Sequence, residues 1–177
     1  YGIELLAGTL ADNVDERTNL YDLVASWDVL EHVKDPVDFL RQANRMLKPG
    51  GYICLSTLDY DNWFPKLAGR RWPWLMDMHL FYFSPDLLAQ MFEKAGFELV
   101  HVDKYVHYAT LKYLFRKIGS LPLYGFDKII SLFIPVIPSS IMVPVSFGDI
   151  KLFIGRKRPC NIINVSTDNP LEDMEGS

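Results

Sequence analysis

The chain has 177 residues, 49% hydrophobic and 23% charged, with a formal net charge of -4 at pH 7; that suits one domain burying roughly 70% of its unfolded surface and lacks the basic footprint of a nucleic-acid binder. Its two cysteines, Cys54 and Cys160, show neither metal spacing nor a disulfide framework, which points to a reducing, cytoplasmic setting. No charged leader followed by an apolar segment and cleavage site marks a secretory signal.

In chain order, Ile3 to Ala7 is a short apolar run ending at Gly8, and Tyr21 to Trp27, "YDLVASW", is a second; both read as buried strands. Asp35-Pro36 opens a helix, because Asp accepts from free N–H groups of the first turn and Pro has none to leave unpaired. Val37, Leu40, Ala43 and Leu47 recur at helical spacing, Lys48-Pro49-Gly50-Gly51 stops the helix, and Tyr52 to Thr57, "YICLST", is the next strand. The grammar repeats with Ser84-Pro85 as start, Leu87, Leu88, Met91, Phe92 and Ala95 as buried face, Gly96 as stop and "FELVHV" as strand. Strands alternating with helices predict an α/β architecture, a sheet covered by crossover helices.

Beyond Lys104 the texture turns aromatic and aliphatic, and a mostly helical apolar insertion is expected over 104–148. Ile129 to Phe147 has the length of a minimal membrane span, but Pro135, Pro138, Pro144 and its serines would break hydrogen bonds that lipid does not replace. Asp149 to Lys157 reads as a last strand. The division expected is therefore a domain over 1–158 and a flexible acidic tail over 159–177.

The stretch "YDLVASWDVLEHVKDPVDFLRQANRMLKPGGYICLST", with "HLFYFSPDLLAQMFEKAGFELVHV" after it, resembles the class I S-adenosylmethionine-dependent methyltransferases, especially the ubiquinone-biosynthesis O-methyltransferases. The most specific pieces are "DVLEHV.DP", "LKPGG" and "H..YFSP", in register, and the likeness covers roughly residues 1 to 103 plus the closing strand. It implies a Rossmann-like class I methyltransferase fold, S-adenosyl-L-methionine as cofactor, and methyl transfer to a small-molecule acceptor at a hydroxyl oxygen. The family's glycine-rich loop and ribose-binding acid have no counterpart, and the chain opens on Tyr1. The expectation is that it is the C-terminal portion of such a domain, inactive alone.

By that resemblance Gly8, Thr9 and Leu10 border the adenine, although the family often has Asp where Thr9 stands. Ser26 and Trp27 end a strand where ligands of open α/β sheets gather; Trp27 is either beside the cofactor or a packing aromatic. If Asp28 to Val33 is a helical turn, Asp28, Glu31 and His32 share a face. That face either binds a divalent ion, the minor reading, supplies His32 as general base, or satisfies backbone groups as scaffolding. His79 is the other catalytic candidate, while His101 and His107 read as structural. Trp63, Arg71, Trp72, Trp74 and Tyr82 either line an acceptor pocket or pack over the sheet. The segment 105–147 is a cap or lid over a lipid-like acceptor, a peripheral membrane contact or a homodimer surface. The competing function is a non-catalytic module that binds a partner or membrane through this insertion.

Overall fold

The computed structural model describes residues 4–119 and 134–159. A single helical turn, α1 (Leu10–Asn13), precedes strand β1 (Tyr21–Trp27). Helix α2 (Pro36–Met46) begins as its residues demand, with the Asp35 carboxylate accepting the Asp38 N–H at 2.9 Å and Pro36 at the first position. Strand β2 (Leu47–Leu58) follows without a loop. Its register against β1 shifts over the segment holding the predicted stop, where Gly50 has φ +77° and a Cβ on Gly51 would lie 3.0 Å from the Lys48 carbonyl and 3.1 Å from that of Asp22. Two glycines there let the chain turn tightly into the sheet.

Helix α3 (Trp63–Ala68) is capped by Asn62, and α4 (Pro85–Lys94) by the Ser84 hydroxyl, which accepts the Leu87 N–H at 3.2 Å. Strand β3 (Phe97–Lys104) leads into β4 (His107–Thr110) and α5 (Leu111–Gly119); β5 (Met142–Val145) and β6 (Ile150–Lys157) complete the described elements. The main sheet has the order β1-β2-β6-β3, β1 pairing parallel to β2 and β6 antiparallel to both its neighbours. Helices α2 and α4 touch each other and cover the face that carries Ile53, Leu55, Phe97 and Phe153. Phe92 of α4 lies so close to β6 that a Cβ on Gly155 would stand 2.5 Å from its ring.

Three expectations are corrected. Over the described residues Glu4 to Ala7 no strand forms; they pair with no other strand and Leu5 is 90% exposed. Leu87 is 44% exposed, because it sits a helical step off the stripe formed by Leu88, Met91, Phe92 and Ala95. The insertion is not mostly helical where it is described: β4 and β5 form an antiparallel ribbon, with Tyr108 opposite Pro144. A two-stranded ribbon has free edges, so a residue without an N–H is tolerated there. Residues 120–133 and 160–177, holding the middle of the insertion and nearly all of the expected tail, lie outside the described residues. No helix among the described residues is long and apolar enough to cross a membrane.

Replacing Gly155 by Val is expected to lower stability by about 1–3 kcal/mol, since the buried Phe92 ring has no space to retreat. Urea unfolding reads the loss; an unchanged midpoint would show that the helix-to-sheet contact is looser than the geometry says.

Candidate functional site

Strands β1, β2 and β3 all end at one edge of the sheet, the edge at which β6 begins, since Ile150 pairs with Leu58 and Lys151 with Lys104. The loop after β1 is held there by two adjacent residues of β2. Ser56 Oγ donates to Asp28 Oδ1 at 2.7 Å and accepts the Asp28 N–H at 3.1 Å, stabilising a non-glycine residue at φ +51°. Thr57 donates to Glu31 Oε2 at 2.9 Å, inside a 3₁₀ turn, Leu30–His32, where Glu31 is 1% exposed.

The same turn recruits a distant segment. The Glu31 carbonyl accepts the Leu80 and Phe81 N–H groups at 2.9 and 3.3 Å, and His32 Nδ1 lies 2.9 Å from the Met78 carbonyl. His79 Nδ1 lies 2.7 Å from the Trp74 carbonyl. A carbonyl only accepts, so Nδ1 carries the proton in each neutral ring and Nε2 keeps its lone pair. The two rings stand 4.8 Å apart, inclined at 56°, and one ligand atom from each of Glu31, His32 and His79 lies within 4.8 Å of the others. A carboxylate with two imidazoles is a donor set for a transition metal rather than for Mg²⁺.

Beside this cluster, under the β4–β5 ribbon, is a cavity of about 470 Å³ with an aromatic and aliphatic lining that includes Phe64, Trp74, Met76, Tyr105 and Phe147. Trp74 and Tyr105 join it to the site: the Trp74 carbonyl faces His79, and the Tyr105 ring lies 6.3 Å from that of Trp27.

The predicted residues separate accordingly. Asp28 is turned to Ser56 and falls outside the Glu31, His32 and His79 group. Trp27 is 49% exposed beside Tyr105, and Ser26 is buried. Gly8, at φ +92°, precedes Thr9, whose backbone N–H and then hydroxyl bind Asp12 and hold its carboxyl below the usual range; Leu10 packs on the main core. Of the five acceptor candidates only Trp74 lines the cavity. Trp72 is buried with its indole N–H donating to Asp149 at 2.8 Å, the Tyr82 hydroxyl accepts the Met76 N–H at 3.1 Å, and Trp63 and Arg71 are exposed. Cys54, on β2, has its thiol pushed up by burial. Sequence reading passed over His107, Tyr105 and Phe147 as cavity residues, because their positions depend on a ribbon whose two strands are far apart in the chain.

A family model described as a methyltransferase domain matches residues 5–102. The chain belongs to this family. Among curated relatives of the methyltransferase-domain chain, the ubiquinone biosynthesis O-methyltransferase of Aeromonas salmonicida (strain A449) is 31% identical over 117 residues, covering 61% of this chain and 48% of that protein. The enzyme of that name from Aliivibrio fischeri (strain MJ11) is 37% identical over 57 residues, 32% of this chain and 24% of that protein. The chain thus spans about half, or less, of the curated relatives it matches. The fold is the Rossmann-like one of SAM-dependent methyltransferases: the crystal structure of one from Thermotoga maritima superposes with a TM-score of 0.54 at 23% identity, covering 89% of this chain and 65% of that one. One from Archaeoglobus fulgidus gives 0.53 at 14% identity, covering 88% and 68%.

Replacing Thr57 by Val leaves the enclosed Glu31 carboxylate without that donor. A loss of about 1–3 kcal/mol is expected in urea unfolding; no loss would mean that the Thr57 hydroxyl does not hold the turn.

Proposed function

We propose that the protein carrying this chain transfers a methyl group from S-adenosyl-L-methionine to a hydroxyl oxygen of a small-molecule acceptor. Family membership and relatives named as O-methyltransferases support the class. The observation that carries the oxygen acceptor is the pair of imidazoles with Nε2 lone pairs kept available, beside an apolar cavity.

The residues at the sheet edge suit the adenine end of that cofactor. Trp27 is half exposed rather than packed away, and Gly8, Thr9, Leu10 and Ser26 complete the set on the same reading. The cofactor supplies a methyl carbon made electrophilic by a sulfonium. With that donor bound, Nε2 of His32 or His79 would take the hydroxyl proton of the acceptor as its oxygen received the methyl group, the donor leaving as a thioether. Alignment is worth up to ~7–11 kcal/mol and a base typically ~10²–10⁴-fold, so Glu31 and Asp28 act mainly by fixing the loop that positions the histidines. The described parts of the insertion, 104–119 and 134–148, serve on this reading as the cap of the acceptor site.

An ion bound by both imidazoles would occupy the lone pairs that a base needs, so the base and metal readings part experimentally. In the full-length polypeptide, S-adenosylhomocysteine should bind in calorimetry, and methyl transfer to phenolic hydroxyls should persist in excess chelator. The combined His32→Ala and His79→Ala replacement should lower transfer by roughly 10²–10⁴-fold at neutral pH with product affinity retained. Absence of S-adenosylhomocysteine binding would sink the activity; full transfer by the double variant would sink the base, and loss in chelator would favour an ion.

A further inference from the structure

Asp149 is 3% exposed and yet lines the cavity under the ribbon. Its Oδ2 accepts the Trp72 indole N–H at 2.8 Å, and no donor among the described residues meets Oδ1. Among those residues, Arg17 Nε and His107 Nε2 are the side-chain atoms that are both fully enclosed and unpaired. Oδ1, unpaired as well, is therefore not sealed: it holds part of the small surface that Asp149 retains. An acceptor for one indole N–H needs neither a charge nor a second oxygen, and a covered carboxylate is costly unless it is paired. No cation among the described residues supplies that pair: Lys151, two residues on, is tied to Asp59 at 2.8 Å, and neither Lys nor Arg is among the lining residues. Around the carboxylate the lining is rich in aromatics, with Phe64, Trp74, Tyr105, Tyr113 and Phe147, and the faces of such rings attract cations. Carboxylate and rings thus favour the same sign of ligand, in a cavity whose volume of about 470 Å³ is ordinary for a small-molecule site.

We propose that this cavity is a cation-recognition site, in which Asp149 Oδ1 and the aromatic wall take the ammonium group of a small aromatic amine. An ammonium brings three N–H donors, one of which serves Oδ1, while the rest of its charge lies against ring faces. That the amine is also the methyl acceptor rests on the proposed activity: Trp74, a cavity wall, meets His79 through its carbonyl, and Tyr105, another wall, lies beside Trp27. The acceptor class is then a phenol with an ammonium-bearing side chain, held by its charged end with the hydroxyl turned to the paired histidines.

The test uses two phenols of one shape, tyramine and 4-propylphenol, which differ by an ammonium in place of a terminal methyl, titrated calorimetrically at neutral pH into the full polypeptide without cofactor. Wild type should bind tyramine about 10-fold more tightly than 4-propylphenol. Asp149→Asn keeps an oxygen for the Trp72 N–H and removes the charge; it should erase that preference while leaving 4-propylphenol affinity in place. Ala109→Trp, which fills the cavity, should weaken both probes. Equal affinities in wild type, a comparison that stands whatever the variants do to folding, would overturn the site. So would a preference that survives Asp149→Asn, or probes indifferent to Ala109→Trp. With donor present, equal KM values for the two phenols would overturn the assignment of the amine as acceptor. Neither titration needs the cofactor, so an Asp149-dependent preference in a protein that fails to bind S-adenosylhomocysteine would uphold the cation site and remove only its role in methyl transfer.

Discussion

The pairing of β6 on both sides is the constraint from which the rest follows. Seven register pairs tie it to β2 and seven to β3, so a strand contributed late in the chain completes a sheet begun more than a hundred residues earlier. Because it runs antiparallel, its first residue lies at the edge where the other strands end, and whatever separates β3 from β6 must leave and return at that edge. The ribbon, the cavity beneath it and the contact with Trp27 are consequences of strand direction. The far end of β6 is also fastened: Lys157 Nζ donates to the Asn44 and Leu47 carbonyls at 2.8 and 2.7 Å, placing a cation at the C-terminus of α2.

The loop after β1 shows how a strained conformation is offset locally. A non-glycine residue at positive φ costs of order 1–3 kcal/mol, and Asp28 recovers it through two bonds to one serine. The next residue of β2, Thr57, holds Glu31. Neighbouring strand residues point to opposite sides, so the loop is gripped from two directions and the turn presenting His32 has little freedom.

Local chemistry was legible in the sequence; pairing across distance was not. Asp35-Pro36, Ser84-Pro85 and Gly96 act on backbone groups within a few residues, and each marks a helix boundary where it was expected. The strand at Tyr21–Trp27 and the last strand were readable as strands from their apolar runs, but Tyr21–Trp27 is not the buried strand its run suggests: it lies at the edge of the described sheet, with Leu23 56% exposed. The ribbon was not, because four-residue strands such as His107–Thr110 and Met142–Val145 carry almost no periodicity and their partners are over thirty residues apart. The candidate site divides in the same way. His32 and His79 were each chosen for their chemistry, but their approach depends on the Glu31 carbonyl capturing Leu80 and Phe81, a backbone event that no side-chain motif announces. Asp28 shares the motif and not the cluster, since its positive φ turns it away from the 3₁₀ turn.

Several aromatics proposed for ligand contact act one layer further back. Trp72, Tyr60 and Tyr82 form a ring cluster with centroids 5.6 to 6.0 Å apart, and Tyr82 bonds both Trp74 and Met76 through its hydroxyl. They shape the loop that carries Trp74 rather than touch what lies in the cavity. Trp74 then serves two neighbours at once, its side chain as cavity wall and its carbonyl as the acceptor that fixes the proton of His79 on Nδ1. The wall of the cavity and the proton position on His79 thus depend on one residue.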